Sequence, residues 1–351
     1  MNIKTLAVTA QALVAPGHGL LAMDESTGTC NARFAEHGIP QTVEARRAYR
    51  ELLVTTPGLA SGISGAILFD ETIRQRTAAG VSFVEILQQA GIIPGIKVDV
   101  GAHGLAGFPG EKVTEGLDSL RPRLAEYAQL GARFAKWRAV LAIGHDRPSR
   151  ACIEANAHAL ARYAALCQEA DLVPIVEPEV LLTGPHSLAR CAVVTEEVLH
   201  EVFAQLRTQG VILEGMLLKP SMVLAGADCP RQPTTAHVAD ATLTCLLRTV
   251  PAAVPGVAFL SGGQSSEQAT RHLAAMHARG GQLPWALTFS FGRALQQPAL
   301  EIWGGQAANV AAAQRALLEQ VANNRAAVGV GEGEALTHKY LVAKVTANQL
   351  A

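Results

Sequence analysis

The chain has 351 residues, 49% of them hydrophobic and 17% charged, with a formal net charge of −1. This composition supplies a substantial core. The near-zero charge excludes broad electrostatic capture of nucleic acid or an anionic membrane, so an anionic ligand needs a local pocket. Six cysteines (Cys30, Cys152, Cys167, Cys191, Cys229 and Cys245) show no CxxC pair and no regular spacing. In a chain of this length they read as reduced thiols of a cytoplasmic protein.

At the N-terminus, Lys4 precedes a mildly apolar stretch to Ala15 that Thr5, Thr9 and Gln11 interrupt, too weak a pattern for a secretory signal. No apolar run approaches the ~18 residues of a membrane span. Eight short apolar runs follow, at residues 19–23, 65–69, 93–98, 133–138, 172–176, 215–218, 257–260 and 286–291. They are continuous in Val, Ile, Leu and Ala, as expected of strands covered on both faces of a parallel sheet. Stretches with helical periodicity lie between them, for example 153–170 and 195–209, often broken by Gly or Pro. Eight such units predict an α/β fold, a (β/α)8 TIM barrel, as a single domain over residues 1–325. A doubly wound sheet would carry a GxGxxG turn after an early strand, and none is present. From Ala326 the chain changes character: Gly329, Gly331 and Gly333 precede a mixed tail, so 326–351 reads as a flexible C-terminal arm.

The predicted strand ends are charged or polar: Asp24; Asp70 and Glu71; Lys97 and Asp99; Lys136 and Arg138; Glu177 and Glu179; Lys219; Ser261; Ser290 and Arg293. Unpaired charges are costly at buried strand tips, so these groups pair with one another or serve a ligand. In a barrel they converge on the C-terminal mouth, where such folds place their chemistry. Lys219 ends the run Gly-Met-Leu-Leu-Lys-Pro. Partial desolvation there favours the neutral amine, a nucleophile for ketones, although an ion-paired or phosphate-binding lysine fits the local sequence equally well.

Barrel order adds context. Lys136 ends the fourth predicted strand, Glu177 the fifth and Lys219 the sixth, so the carboxylate is flanked by lysines from both adjacent strands. That supplies a nucleophile, a second cation and a proton-transfer group. Lys136 and Arg138 share one strand face. Glu177 and Glu179 straddle Pro178, which is expected to stiffen the turn leaving the strand; Glu177, nearer the strand, is the better acid/base candidate. The last two strands end in Leu-Ser-Gly-Gly-Gln and Phe-Ser-Phe-Gly-Arg, where small residues, hydroxyls and Arg293 suit a phosphate. Ser26 and Thr27 fit a helix cap, or, with Arg33, a second anionic group.

The segments LLAMDESTGT, GIKVD, FAKWR, PIVEPEVL, LLKPSMV, LSGGQS and TFSFGRALQ, in order along most of the chain, closely resemble class I fructose-1,6-bisphosphate aldolases. The resemblance implies reversible retro-aldol cleavage of the bisphosphate to dihydroxyacetone phosphate and glyceraldehyde 3-phosphate. This is a lyase reaction of glycolysis and gluconeogenesis, with no metal or cofactor. Lys219 would form the iminium and Glu177 would be the general acid/base, with Glu179 beside it. Asp24 and Lys136 would position the C4 hydroxyl, supported by Arg138. Ser261, Gly262, Gly263, Ser290, Gly292 and Arg293 would cradle the ketone-side phosphate, while Ser26, Thr29, Arg33 and Lys97 would lie towards phosphate oxygens. A homotetramer is expected by the same resemblance.

Three departures bear on these expectations. Ala32 stands where many animal members have a lysine, and Phe291 replaces a tyrosine. The chain ends in Asn-Gln-Leu-Ala without a terminal tyrosine; Tyr340 is the nearest. Alternative readings are another Schiff-base lyase or transferase, such as a transaldolase-like enzyme or an aldolase for a monophosphate, a catalytically silent barrel, and a zinc-dependent aldolase. The silent barrel conflicts with the presence of Lys219, Glu177 and Asp24. A zinc enzyme would need a spaced ligand set that does not stand out among the eleven histidines.

Overall fold

The computed structural model describes residues 1–279 and 281–329. Its eight barrel strands are β1 (Gly19–Ala22), β2 (Ile63–Leu68), β3 (Ile93–Lys97), β4 (Phe134–Leu141), β5 (Val173–Val180), β6 (Leu217–Leu218), β7 (Gly256–Phe259) and β8 (Ala286–Phe291). They pair in parallel and close in the order β1-β8-β7-β6-β5-β4-β3-β2. Every predicted apolar run contributes a strand, and the (β/α)8 expectation holds.

Alternation along each strand divides two buried layers. Leu20, Ala22, Ile67, Phe134, Val173, Ile175, Leu217 and Ala258 meet inside the barrel. The intervening residues, such as Leu21, Ala66, Ala135, Val176, Leu218 and Val257, pack outward with the helices. Glycine is needed at one close approach: a Cβ on Gly95 would lie 2.2 Å from the Phe134 ring. The N-terminal apolar stretch is a helix, Ile3–Leu13, whose Leu6, Ala10 and Leu13 join the inner cluster. Its apolarity is explained by that i, i+4, i+7 face, which covers the interior layer of the barrel.

Helices are started locally by side chains. Ser26, Thr42, Ser82, Ser149, Ser187, Thr234 and Ser265 each accept a hydrogen bond from a first-turn N–H, meeting donors that the helix itself leaves free.

The structure departs from expectation in four places. β4 and β5 run on to Leu141 and Val180 as a long parallel pair, so Lys136, Arg138, Glu177 and Glu179 lie within strands rather than at their ends. Pro178 therefore does not stiffen an exit turn. It shares a strand edge with Val176 and Val180, whose carbonyls accept from the Lys219 N–H and the Ser221 hydroxyl. β6 ends at Leu218 on that side, so proline's missing N–H costs no ladder bond. An antiparallel pair, Gly101–Gly104 with Lys112–Glu115, follows β3 and was not expected. Finally, a helix Val310–Ala327 crosses the expected boundary at residue 326. The rest of the proposed arm, residues 330–351 with Tyr340, lies outside the described residues. Among the described residues no helix is long and apolar enough to cross a membrane.

Candidate active site

A cavity of about 420 Å³ opens at the C-terminal mouth of the barrel. Asp24, Ser26, Thr29, Arg33, Lys97, Lys136, Arg138, Glu177, Glu179, Lys219, Ser261, Gly262, Gly263, Ser290, Gly292 and Arg293 all line it. The fold thus gathers in one cavity every residue that the family resemblance pointed to.

Above the apolar inner layer, the inward positions become ionic. Lys136 Nζ lies 2.7 Å from Asp24 Oδ2 and 3.1 Å from Glu177 Oε2, and Lys219 Nζ lies 3.2 Å from Glu177 Oε1. Glu177 therefore bridges the two lysines. Lys136, Glu177 and Lys219 are each under 5% exposed; without water, each charge depends on its partner. Burial alone would raise the Asp24 carboxyl, but Lys136 and Lys219 outweigh it and hold the group at about 2. Burial likewise opposes ionisation of Glu177, and the same two lysines reverse the effect and lower its pKa. Burial disfavours the Lys136 ammonium, yet Asp24 and Glu177 hold its pKa above the ordinary lysine value. Lys136 is thus a fixed cation. Lys219 makes one direct ion pair, with Glu177, where Lys136 makes two.

A second tier stands beside the first. Arg138 Nε lies 2.5 Å from Glu179 Oε2, and Asp99 accepts from Lys97 Nζ at 2.6 Å and from the Arg138 N–H at 3.2 Å. Asp99 is buried and lines the cavity. The sequence placed Asp99 beside Lys97 among the charged strand ends but gave it no role of its own at the site. The antiparallel pair adds Gly101 and Ala102 to the wall.

One part of the cavity wall has features that suit an anion. Gly262 and Gly263 have positive φ, 59° and 94°, and the Gln264 N–H bonds back to the Ser261 carbonyl at 3.0 Å. This is a tight turn, and a turn of this kind also has the backbone geometry for cradling an anion. Gly292 caps the helix Arg293–Trp303, placing a helix N-terminus at the mouth. The Ser290 hydroxyl is buried without a hydrogen-bond partner, a costly state unless a ligand meets it.

The helix Thr27–Glu36, with Ser26 before it, supplies another part of the wall. Ser26 accepts from the Thr29 N–H at 3.3 Å and both line the cavity, so capping and cavity lining coexist. Arg33 Nη1 bonds Glu25 Oε1 at 2.6 Å, while its Nε and Nη2 are buried without partners. Asp70 and Glu71 do not join the site. They start a short helix, Asp70–Ile73, and pair with Arg74 and Arg46. Two sequence departures do not line the cavity. Ala32 is exposed and outside the cavity wall. Phe291 packs outward beside Phe289, with ring centroids 5.7 Å apart, so its missing hydroxyl takes nothing from the site.

Comparison with known proteins agrees with this geometry. Residues 5–346 match the family described as fructose-bisphosphate aldolase class-I. A "Probable fructose-bisphosphate aldolase class 1" of Xanthomonas campestris pv. campestris is 58% identical over 335 residues, covering 95% of this chain and 100% of that protein. "Fructose-bisphosphate aldolase 4, cytosolic" of Arabidopsis thaliana is 53% identical over 321 residues, covering 91% and 82%. The solved fructose-bisphosphate aldolase of Plasmodium falciparum, in complex with TRAP and a small-molecule inhibitor, superposes with a TM-score of 0.92. It is 51% identical, with 93% of this chain and 94% of that one covered. The chain belongs to the class I fructose-bisphosphate aldolase family.

Proposed function

We propose that Lys219 is the amine that forms the Schiff base with fructose 1,6-bisphosphate, and that Glu177 moves the protons. The bridge from Glu177 to Lys136 at 3.1 Å and to Lys219 at 3.2 Å carries this reading. Lys136 and Lys219 face Asp24 and Glu177, two cations against two carboxylates. A proton passing from Lys219 to Glu177 leaves that sum unchanged and frees the amine lone pair to attack the ketone carbon. The protonated Glu177 then gives its proton to the carbinolamine hydroxyl, which leaves as water, and the nitrogen becomes the positive iminium.

The iminium draws the electrons of the C3–C4 bond as it breaks, and the C4 hydroxyl loses its proton. Asp24, held at about 2, is a weak base and serves to orient that hydroxyl together with Lys136. Glu177 is the better acceptor. Two cations depress its pKa, and one of them disappears as the iminium becomes a neutral enamine, so its basicity rises while the proton is released. Glyceraldehyde 3-phosphate leaves; protonation and hydrolysis of the enamine free dihydroxyacetone phosphate.

The Ser261–Gly263 turn, the Ser290 hydroxyl, the Gly292 amide and Arg293 hold the ketone-side phosphate. Ser26, Thr29, Arg33 and Lys97 serve the far phosphate, and Arg138 with Glu179 braces the wall between. The same reading assigns the protein to the cytoplasm and to a homotetramer, in line with cytosolic relatives, with the proton chemistry carried by side chains rather than a metal. The test is cleavage of the bisphosphate in EDTA by the native enzyme and by Lys219→Met. The expected result is no effect of EDTA and loss of activity on substitution. Activity abolished by EDTA, or retained by Lys219→Met, overturns the reading.

A further inference from the structure

Behind β1 lies a buried polar cluster that the steps above do not use. Its centre is Glu25. Oε1 accepts from Arg33 Nη1 at 2.6 Å and from Gln296 Nε2 at 3.0 Å, and Oε2 accepts from Arg50 Nη2 at 3.0 Å. Arg50 also holds the Glu25 carbonyl at 3.2 Å and the Thr72 hydroxyl at 3.0 Å. Gln296 is 0% exposed. The Tyr49 hydroxyl donates to its Oε1 at 3.0 Å, which turns Nε2 towards Glu25 and the Ala22 carbonyl, 2.6 Å away. Both oxygens of the carboxylate are thus held by partners from three helices, Thr27–Glu36, Val43–Val54 and Arg293–Trp303.

The charges do not balance. Glu25 faces two guanidinium groups, Arg33 and Arg50, which leaves one positive charge in excess at a site where the Arg33 and Arg50 side chains are 12% and 1% exposed. Burial opposes both guanidinium charges, and Glu25 outweighs it and keeps both groups charged. Arg46, the neighbouring arginine, is neutralised separately by Glu71 at 2.7 Å. The excess has one outlet. Arg33 lines the cavity and retains two buried donors, Nε and Nη2, without partners. An anion in the cavity would balance that excess charge.

We propose that Glu25, anchored by Gln296 and Arg50, is a positioning residue that aims Arg33 at the far phosphate and so sets the preference for a bisphosphorylated over a monophosphorylated ketose. The proposal rests on the assignment of Arg33 to that phosphate. Glu25 takes up one edge of the Arg33 fork and leaves the rest for the ligand. Gln296 lies on the helix that begins at Arg293, so one helix contributes to both anion ends.

Steady-state kinetics with fructose 1,6-bisphosphate and fructose 1-phosphate test it in Gln296→Met and Tyr49→Phe, with Arg33→Gln as reference. Gln296→Met should raise KM for the bisphosphate about tenfold, the worth of one charge-assisted hydrogen bond. It should leave kcat and all parameters for the monophosphate within about twofold. Tyr49→Phe, which removes a single hydroxyl, should shift the same ratio in the same direction by less. A purely structural role would move both substrates together, and that result, or no change with either, overturns the positioning role while Arg33→Gln still loses the preference. If Arg33→Gln itself leaves the preference intact, the assignment of Arg33 fails first and the proposal falls with it.

Discussion

Phe134, Lys136 and Arg138 follow one another along the inner face of β4, and the same progression from apolar to ionic appears on β5 from Val173 and Ile175 to Glu177 and Glu179. At the N-terminal end of the barrel the inner face is closed by the helix Ile3–Leu13 over leucine, isoleucine and phenylalanine side chains. At the C-terminal end the same strands present paired lysines and carboxylates to an open cavity. One end holds the barrel together, and the other uses that rigidity to keep charged groups close in a place where water would otherwise separate them.

Substitutions should separate the two ends cleanly. Glu177→Gln keeps the shape but removes the proton carrier, so kcat should fall about 10³–10⁴-fold, while the fold persists; assays of cleavage against thermal melting read both. Phe134→Ala, a change in the apolar layer, should instead cost about 3–5 kcal/mol of stability, measured by denaturant unfolding, with kcat of the folded fraction retained. If Phe134→Ala impaired chemistry as severely as Glu177→Gln at temperatures where it stays folded, the division between the ends would not stand.

A smaller effect lies in acid. The Asp24 pKa falls from an ordinary 3.8 to about 2 in the folded protein. A carboxyl with a depressed folded pKa stabilises the native state above its unfolded value and loses that contribution as pH falls towards the folded one. Asp24 should therefore add about 2 kcal/mol above pH 4 that fades towards pH 2. Asp24→Asn should flatten that part of the stability profile, as pH-dependent unfolding would show; an unchanged profile would place the acid sensitivity elsewhere.

The apolar runs made the barrel legible, because strands buried on both faces leave little choice of residue. The mouth was legible because charges at predicted strand ends in a known order must converge. Strand length was not: Arg138, Glu177 and Glu179 interrupt the apolar pattern just where β4 and β5 continue. Asp70 and Glu71 misled for the reverse reason, since a charge after an apolar run does not reveal that the chain has turned into a helix. Glu25, Arg50 and Gln296 were unmarked, and Asp99 was marked only as a charged strand end, because their roles depend on contacts between segments far apart in the chain, such as Gln296 with Ala22. The apolar N-terminal stretch carried a helix signal whose purpose emerges only when the barrel interior it covers is present.

The most direct test of Lys219 as the reactive amine is borohydride reduction in the presence of fructose 1,6-bisphosphate or dihydroxyacetone phosphate, followed by peptide mapping. Reduction should inactivate the enzyme as one ketose-derived group per chain becomes fixed to Lys219, with Lys136, held as a cation by Asp24 and Glu177, left unmodified. A label on Lys136, or turnover that continues with no label on Lys219, would contradict the account.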